Sequence, residues 1–405
     1  MQSGGPSVIR RIVEVDPARR AQWLMPSAMR RVHPREIRYL LPVRADDGWE
    51  QGDLLLCEVL GSVGRISSIQ NTNRRSLLDF RDASLFPGTK LVAVLAPRAG
   101  ASTCVARVPD GPVPELHLHG VGGQAAAIVP GSENSVLYRG SPTTVKVLAR
   151  LGGVDGRSLN MRRFGVPVSP EPRARTEADP ALVLVLGSDM DAGKTATARR
   201  MIYSFTAMGR PVVAGKATGV GSLMDIASMF DAGASEVFDF SDLGEPVTIG
   251  LPREGVLSLF HRIFNHLRGK VGADGFVVLE LADGIWYRET RFLLEDERVR
   301  DLVTHVVFAC HSILDAERGV ELLGQLGYGN RLAALSGRLG SSGVLRDIAK
   351  ERFGNHPPVF DALDYASSPE AVLALFERQD LVPSPPFGGG REPRRRRRFG
   401  ADFGR

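Results

Sequence analysis

The sequence predicts an α/β fold built on a parallel sheet, with a smaller β-rich domain before it and a disordered basic tail after it. In the second half of the chain, continuous apolar runs typical of strands buried on both faces alternate with longer segments of helical spacing. In the first third, short apolar or alternating runs are separated by Gly, Pro and Asp at intervals of about ten residues. The last residues combine Pro, Gly and Arg with almost no apolar content.

Composition places the chain among soluble globular proteins. It has 405 residues, enough for two or three domains, with 43% hydrophobic and 24% charged residues. No apolar run approaches the roughly 18 to 20 residues that span a bilayer, and the N-terminal residues lack a secretory signal. Three cysteines, far apart in sequence, argue against disulfides and zinc. We therefore expect a cytoplasmic protein without a membrane partner.

The net charge of +5 comes from the tail. From Leu381 onward there are seven arginines and two acidic residues, an excess of five positive charges that equals the charge of the whole chain. The remainder is therefore close to neutral, which argues against a folded nucleic-acid-binding surface. The run Arg394–Arg398 is the one place where the sequence leaves a nucleic-acid partner open.

Residues 1–165 are predicted to form the β-rich domain, a small sandwich or barrel. Strands are expected in the runs that begin near residues 37, 53, 64, 90 and 103, and a short helix is expected between about 140 and 165. A linker follows at 166–180, which contains four prolines and many charges.

Residues 181–380 are predicted to form the parallel-sheet domain, and 381–405 the disordered tail. The buried strands are expected at 181–187, 210–216, 275–284, 302–310 and 331–337, with a weaker sixth at 357–363. Helical spacing is found at 194–209, 256–269, 312–327 and 343–354.

The segment from Gly187 to Thr195 follows the first of these strands and opens the first of these helices. Main-chain N–H groups and a helix N-terminus can cradle phosphate there, with Lys194 as a point charge and the Thr195 hydroxyl as a Mg²⁺ ligand. This context predicts a P-loop NTPase domain that binds ATP and Mg²⁺; ATP is favoured over GTP because no Asn-Lys-x-Asp motif is present. The expected nucleotide-binding residues are Gly187, Ser188, Asp189, Met190, Asp191, Ala192, Gly193, Lys194, Thr195 and Ala196.

The loop GSDMDAGKT, whose first glycine is one residue earlier than in the usual motif, resembles that of the dethiobiotin synthetase family. The likeness extends over about residues 181–340. It implies that Lys216, after the second strand, stabilises a carbamate intermediate, and that Glu280, at the end of a later strand, ligates Mg²⁺. An aspartate after Lys216 also contacts Mg²⁺ in that family, and we favour Asp225 over Asp231. The segment Ala217–Gly219 is similar to one in a related, largely uncharacterised group of P-loop proteins.

The expected site therefore has Lys194 and Lys216 as catalytic residues and Thr195, Glu280 and Asp225 as metal ligands. An ATP-dependent ligase or synthetase that activates a small carboxylate or carbamate fits these residues best. A polynucleotide 5′-hydroxyl kinase and a nucleotide-driven switch that binds a partner stay open. A homodimer is also open, because related P-loop enzymes often build their sites across a dimer.

Three further residues have weaker claims to function. His117 and His119 share one strand face by their spacing, but surface or turn positions are favoured for them. Arg338 follows the fifth strand directly, where it could reach phosphate or stay in solvent.

Overall fold

The computed structural model describes residues 9–61, 64–69, 80–100, 104–132, 143–354 and 356–377. The arginine tail at 381–405 lies outside these ranges. Within them, we find no helix that combines the length and the apolar character needed to cross a membrane.

The first half of the chain forms mostly short strands. These are β1 (Val13–Glu14), β2 (Tyr39–Leu41), β3 (Leu54–Val59), β4 (Gly64–Ile69), β5 (Phe80–Leu85), β6 (Lys90–Leu95), β7 (Arg98–Ala99), β8 (Val105–Arg107), β9 (Glu115–Leu118), β10 (Gln124–Ile128) and β11 (Thr143–Gly152). All of them except β4 and β5, which pair with each other, belong to one nine-stranded sheet, which we call the barrel sheet. Its pairings close a ring in the order β3, β6, β10, β9, β11 and back to β3.

Alternation along the strands gives the barrel sheet two apolar faces. On β3, Leu55 and Cys57 pack with Leu91 and Val145 in one buried cluster. Leu54 and Leu56 point the other way and pack beneath the segment that contains Met25, Met29 and Val32. This is the period of two expected for a strand buried on both sides. The helix expected between about 140 and 165 is wrong, because β11 occupies much of that range.

The second half supplies a parallel sheet and most of the helices. Its strands are β12 (Ala181–Gly187), β13 (Val212–Thr218), β14 (Glu236–Asp239), β15 (Phe276–Leu281), β16 (His305–Ala309) and β17 (Leu332–Ser336). The α-helices of the described residues are α1 (Pro17–Arg20), α2 (Lys194–Ala207), α3 (Leu223–Asp231), α4 (Arg253–Arg268), α5 (Arg288–Leu294), α6 (Glu297–Leu302), α7 (Ile313–Gln325), α8 (Arg338–Ser341), α9 (Gly343–Phe353) and α10 (Pro369–Leu373).

The strand order is β14-β13-β15-β12-β16-β17, and all the pairs are parallel. Alternate strand residues pack on opposite faces: Leu184 lies against the side of α4 and α7, and Val185 against the side of α2 and α10. The predicted parallel α/β sheet is therefore confirmed. The weak sixth strand at 357–363 is wrong, because that segment contributes only an isolated bridge from Val359 to Leu335.

The barrel sheet packs directly against the loops at the ends of the parallel strands. Gln124, on β10, donates from Nε2 to the Gly221 carbonyl at 2.7 Å. Glycine is required at position 122, because a Cβ there would lie 2.4 Å from the Gly221 oxygen. On another part of the contact, buried Arg30 bonds Asp239 at 2.6 Å and Asp242 at 2.5 Å. The division at residues 165 and 180 stays a prediction.

Candidate nucleotide-binding site

The predicted loop lies between the end of β12 and the start of α2. A Cβ at Gly187 would lie 2.8 Å from Cδ of Lys194 and 3.1 Å from its Nζ, so glycine lets the lysine fold back across the loop. Gly193 has a φ of 101°, and a Cβ there would lie 2.9 Å from Cα of Gly337. Gly193 therefore needs glycine, because its φ is positive and a Cβ would meet main-chain atoms, whereas at Gly187 the absence of a side chain leaves room for Lys194. The strand, loop and helix follow one another in the order that the sequence predicts for a P-loop.

The ammonium group of Lys194 bridges the loop to the end of β15. It donates to the main-chain oxygen of Asp189 at 2.8 Å and to that of Asp283. Burial lowers the pKa of Lys194, and the neighbouring carboxylates of Glu280 and Asp283 oppose this change. The lysine is thus held over the loop, in the place from which it can meet a phosphate.

Two side chains from later elements fix the shape of the loop. The Tyr287 hydroxyl donates to Oδ1 of Asp189 at 3.1 Å, and the same oxygen accepts from the main-chain N–H of Met190 at 2.7 Å. Nε2 of His311 lies 2.9 Å from the Met190 carbonyl oxygen. Asp189 is therefore turned toward its own loop, whereas Asp191, with a φ of 58°, is exposed.

Parallel pairing brings Lys216 and Glu280 together. They are cross-strand partners on β13 and β15, and β15 also lies beside the P-loop strand β12. Nζ of Lys216 donates to Oδ2 of Asp225 at 2.6 Å. Burial by itself would lower the pKa of Lys216, but the Asp225 and Glu280 carboxylates raise it above its usual value. Lys216 therefore stays an ammonium group next to the P-loop.

Glu280 and Thr195 provide oxygen atoms suited to a hard cation. Oγ1 of Thr195 donates to Oε1 of Glu280 at 3.3 Å, while the buried Oε2 has no hydrogen-bond partner among the described residues. Burial raises the pKa of Glu280, and Lys216 counteracts this. The described residues contain no group of three or more His, Cys, Asp or Glu placed to hold a metal. The Thr195 hydroxyl and the Glu280 carboxylate fit Mg²⁺, which binds through one or two protein oxygens together with phosphates and water.

A cavity of about 640 Å³ opens above these groups. Its lining brings together nine predicted residues: Met190, Asp191, Gly193, Lys194, Thr195, Ala196, Lys216, Asp225 and Glu280. Four predicted loop residues do not line it, namely Gly187, Ser188, Asp189 and Ala192. Asp231, the alternative to Asp225, is exposed at the end of α3 and is also absent from the lining.

The barrel sheet supplies a part of this cavity that the sequence did not predict. Arg98 and the turn at His119, Gly120 and Val121 line it. Nε2 of His119 lies 2.7 Å from the Ala96 carbonyl oxygen, and burial lowers the pKa of the imidazole to about 4. The interpretation of His119 as a surface or turn residue thus missed its place in the cavity. The spacing of His117 and His119 indicated a strand here, which is β9. It gave no information about the residues of other segments that lie against this strand.

A second cavity of about 300 Å³ adjoins the first. The two share Asp191, Gly193, Ala196 and Arg338. The second continues to Ser341, Ser342 and Leu363, and its described lining contains no residue of the barrel sheet. Arg338, which is exposed, therefore lies between two cavities beside the P-loop.

Comparisons with known proteins give two distant likenesses to solved structures. No family model matches the chain, and no curated protein does. A signal recognition particle 54 kDa protein from Aeropyrum pernix K1, solved in complex with GDP, is 16% identical, with a TM-score of 0.25 over 41% of this chain. The match spans 37% of that protein's length. A ParA family ATPase from Chlorobium tepidum TLS is 12% identical, with a TM-score of 0.27 over 48% of this chain and 90% of its own.

Proposed function

We propose that the chain is an ATP- and Mg²⁺-dependent P-loop enzyme that activates a small carboxylate or carbamate by phosphorylation. The observation that carries this proposal is the meeting of two buried lysines in one cavity. Lys194 comes from the P-loop and Lys216 from the neighbouring strand, and the Glu280 carboxylate acts on the pKa of both. A nucleotide-binding loop needs the first lysine, whereas the second is suited to hold the anion of another substrate.

Each group has a separate role in this proposal. The main-chain N–H groups of 187–195 and the ammonium group of Lys194 hold the polyphosphate, and Lys194 neutralises charge on the transferred phosphoryl group. Thr195 and Glu280 would hold Mg²⁺, which supplies further neutralisation when bound. Lys216 holds the anionic oxygen of the acceptor. Asp225 keeps Lys216 charged and in place through their 2.6 Å contact, so it acts on the metal indirectly at most.

The reaction follows from these positions. A carboxylate or carbamate oxygen forms a bond to the γ-phosphorus of ATP, and the bond from that phosphorus to the β–γ bridging oxygen breaks. The bonding electrons leave with ADP, so that an acyl or carbamoyl phosphate is formed. An amine then attacks the activated carbon, inorganic phosphate leaves, and the amine proton passes to solvent. We assign the nucleoside to the second cavity, which contains Leu363 in its lining and adjoins the main cavity at Gly193 and Arg338.

The test measures ADP release from Mg-ATP with a panel of small carboxylates and amines. We expect Lys194→Ala to weaken Mg-ATP binding, and Lys216→Ala to remove acceptor-dependent turnover while nucleotide affinity stays within about threefold. Lys270→Ala is the control, since this lysine is exposed and lies outside the cavity. Failure of the wild-type chain to bind Mg-ATP would overturn the proposal, and so would full turnover in the Lys216 variant.

A nucleotide-driven switch is the second candidate, and one contact favours it. The Gly221 carbonyl, five residues after Lys216, is held by Gln124 of the barrel sheet, so a change in this segment would reach the barrel. Under this alternative, Lys216→Ala changes the binding of a partner without any loss of turnover. The kinase alternative predicts phosphate transfer to a 5′-hydroxyl oligonucleotide, and loss of that transfer on removal of Arg394–Arg398.

A further inference from the structure

Part of the main cavity is left over once the polyphosphate and the nucleoside are placed. In the proposed function the polyphosphate lies at the P-loop end, and the nucleoside lies in the second cavity, whose described lining contains no residue of the barrel sheet. Arg98, His119 and Val121 remain on the barrel sheet, with Val220 and Ser222 from the segment after Lys216. This remaining space lies where the barrel sheet and the parallel sheet meet, so both contribute to whatever binds there.

Arg98 gives the barrel side of this space its charge. It is the one charged side chain that the barrel sheet contributes to the described lining of the cavity. A guanidinium group with two parallel N–H donors matches the shape of a carboxylate better than that of a neutral group. Lys216 also lines the cavity and contributes a second cation, which comes from the parallel sheet.

His119 fixes the segment that carries Arg98. Its Nε2 lies 2.7 Å from the oxygen of Ala96, two residues before Arg98, and since a carbonyl only accepts, this nitrogen carries the proton. The N–H of Ala96 in turn donates to the Ala125 carbonyl at 3.1 Å, on β10. Arg98 and His119 both line the main cavity. Arg98 is thus presented by a segment braced from two sides.

We propose that the acceptor is a small dianion that spans the cavity, with its reacting carboxylate or carbamate at Lys216 and a second carboxylate at Arg98. This inference rests on the proposed function, because Lys216 is assigned to the acceptor there. Arg98 is then the residue that selects the substrate, and His119 is a positioning residue that acts through Ala96. The barrel sheet reads the far end of the acceptor, and the P-loop side performs the transfer.

The test uses calorimetric titration of succinate, glutarate and adipate, each beside its monoamide, into the full chain with Mg²⁺ and a non-hydrolysable ATP analogue. We expect at least one diacid to bind about tenfold or more tightly than its monoamide. Arg98→Gln should weaken binding of that diacid by about 10- to 100-fold and leave the monoamide unchanged. Arg107→Gln is the matched control, since Arg107 is exposed on β8, the strand that pairs with β7.

His119 is tested in the same titration. We expect His119→Ala to weaken binding of the diacid but not of the monoamide, and His119→Gln, which keeps a donor for the Ala96 oxygen, to restore it. The inference is overturned if the analogue binds but no diacid is preferred, or if Arg98→Gln keeps the preference. Absence of nucleotide binding overturns the proposed function instead, and an Arg98-dependent diacid preference would then still support the anion site.

Discussion

At the scale of single residues, Glu280 is the most constrained group of the site. Its carboxylate is buried next to Lys216 and the Thr195 hydroxyl, with Oε2 unpartnered among the described residues. A buried carboxylate oxygen without a hydrogen-bond donor destabilises the folded state unless a cation binds to it. For this physical reason we propose Glu280 as the metal ligand rather than Asp225, whose Oδ2 is engaged by Lys216.

We predict that Glu280→Gln raises the Mg²⁺ concentration for half-maximal nucleotide binding by about tenfold or more, since an amide is a weaker ligand for a hard cation. The measurement is a Mg²⁺ titration of nucleotide affinity, compared with Glu254→Gln, which changes an exposed glutamate on α4. An unchanged Mg²⁺ requirement in the Glu280 variant would contradict this assignment.

His119 gives a prediction about pH. Burial lowers its pKa from 6.5 to about 4, so the folded state favours the neutral imidazole. The stability that this provides is fully present above pH 6.5 and is lost as the pH falls from 6.5 to about 4, because the unfolded state takes up the proton first. Urea unfolding across this range should show a smaller loss in His119→Gln than in the wild type. His305, whose pKa is also lowered to about 4, contributes equally in both proteins. If the free energy of unfolding changed with pH equally in both proteins, the lowered pKa of His119 would be contradicted.

At the scale of elements, the sequence predicted an element correctly where the pattern within a single strand was enough to identify it. The run 181–187 is apolar on both faces and leads into a glycine-rich turn, so both the strand and the P-loop could be predicted from it. β11 was missed because its first residues alternate between buried and half-buried while its later residues are nearly all buried, a mixture that resembles helical spacing. β14, a four-residue strand at the edge of the sheet, was too short to be recognised.

The half of the cavity contributed by the barrel sheet could not be predicted from local pattern. The resemblance to the dethiobiotin synthetase family implied that Lys216 and Glu280 belong to one site, and their pairing on neighbouring parallel strands brings them together. Arg98 and His119 reach the same cavity only through packing between the two sheets, and this packing depends on contacts such as that of Gln124 with Gly221, 97 residues apart. The hydrophobic periodicity of either segment gives no information about a contact between residues so far apart in sequence.

The turn after β17 provides a prediction at this scale. Gly337 has a φ of 81°, and a Cβ there would lie 2.1 Å from the Ala192 oxygen of the P-loop. We expect Gly337→Ala to destabilise the fold by about 1–3 kcal/mol and to weaken nucleotide binding, since the loop must move. Gly324, within α7, has nothing within 4 Å of such a Cβ, so Gly324→Ala should stabilise by about 0.5–1 kcal/mol. Urea unfolding measures both, and equal effects would contradict the explanation.

At the scale of the whole molecule, the cavity depends on the contact between the two sheets, and a buried ionic cluster lies at that contact. Arg30 is 1% exposed and bonds Asp239, the last residue of β14, and Asp242, which lies in the turn that follows. Arg31 adds a bond of 2.7 Å to Asp242. The two acids differ: burial raises the pKa of Asp239, whereas the arginines lower that of Asp242. In both acids, Arg30 is the main group that opposes the effect of burial on the pKa.

We therefore predict that Arg30→Met destabilises the folded chain by about 3–5 kcal/mol, because the variant removes the cation that two buried carboxylates share. Asp242 then keeps the partly exposed Arg31, and Asp239 keeps the main-chain N–H of Ser241. The control is Arg162→Met, which breaks a second ion pair across the same contact, with Glu245 at 2.6 Å. The side chain of Arg162 is 42% exposed, so a loss below about 1 kcal/mol is expected. Urea unfolding at neutral pH measures both.

The loss of stability in Arg30→Met should be smaller under acidic conditions, because protonation of Asp239 and Asp242 removes the unpaired charge. Equal losses in the two variants would mean that the number of ion pairs, and not their burial, holds the two sheets together.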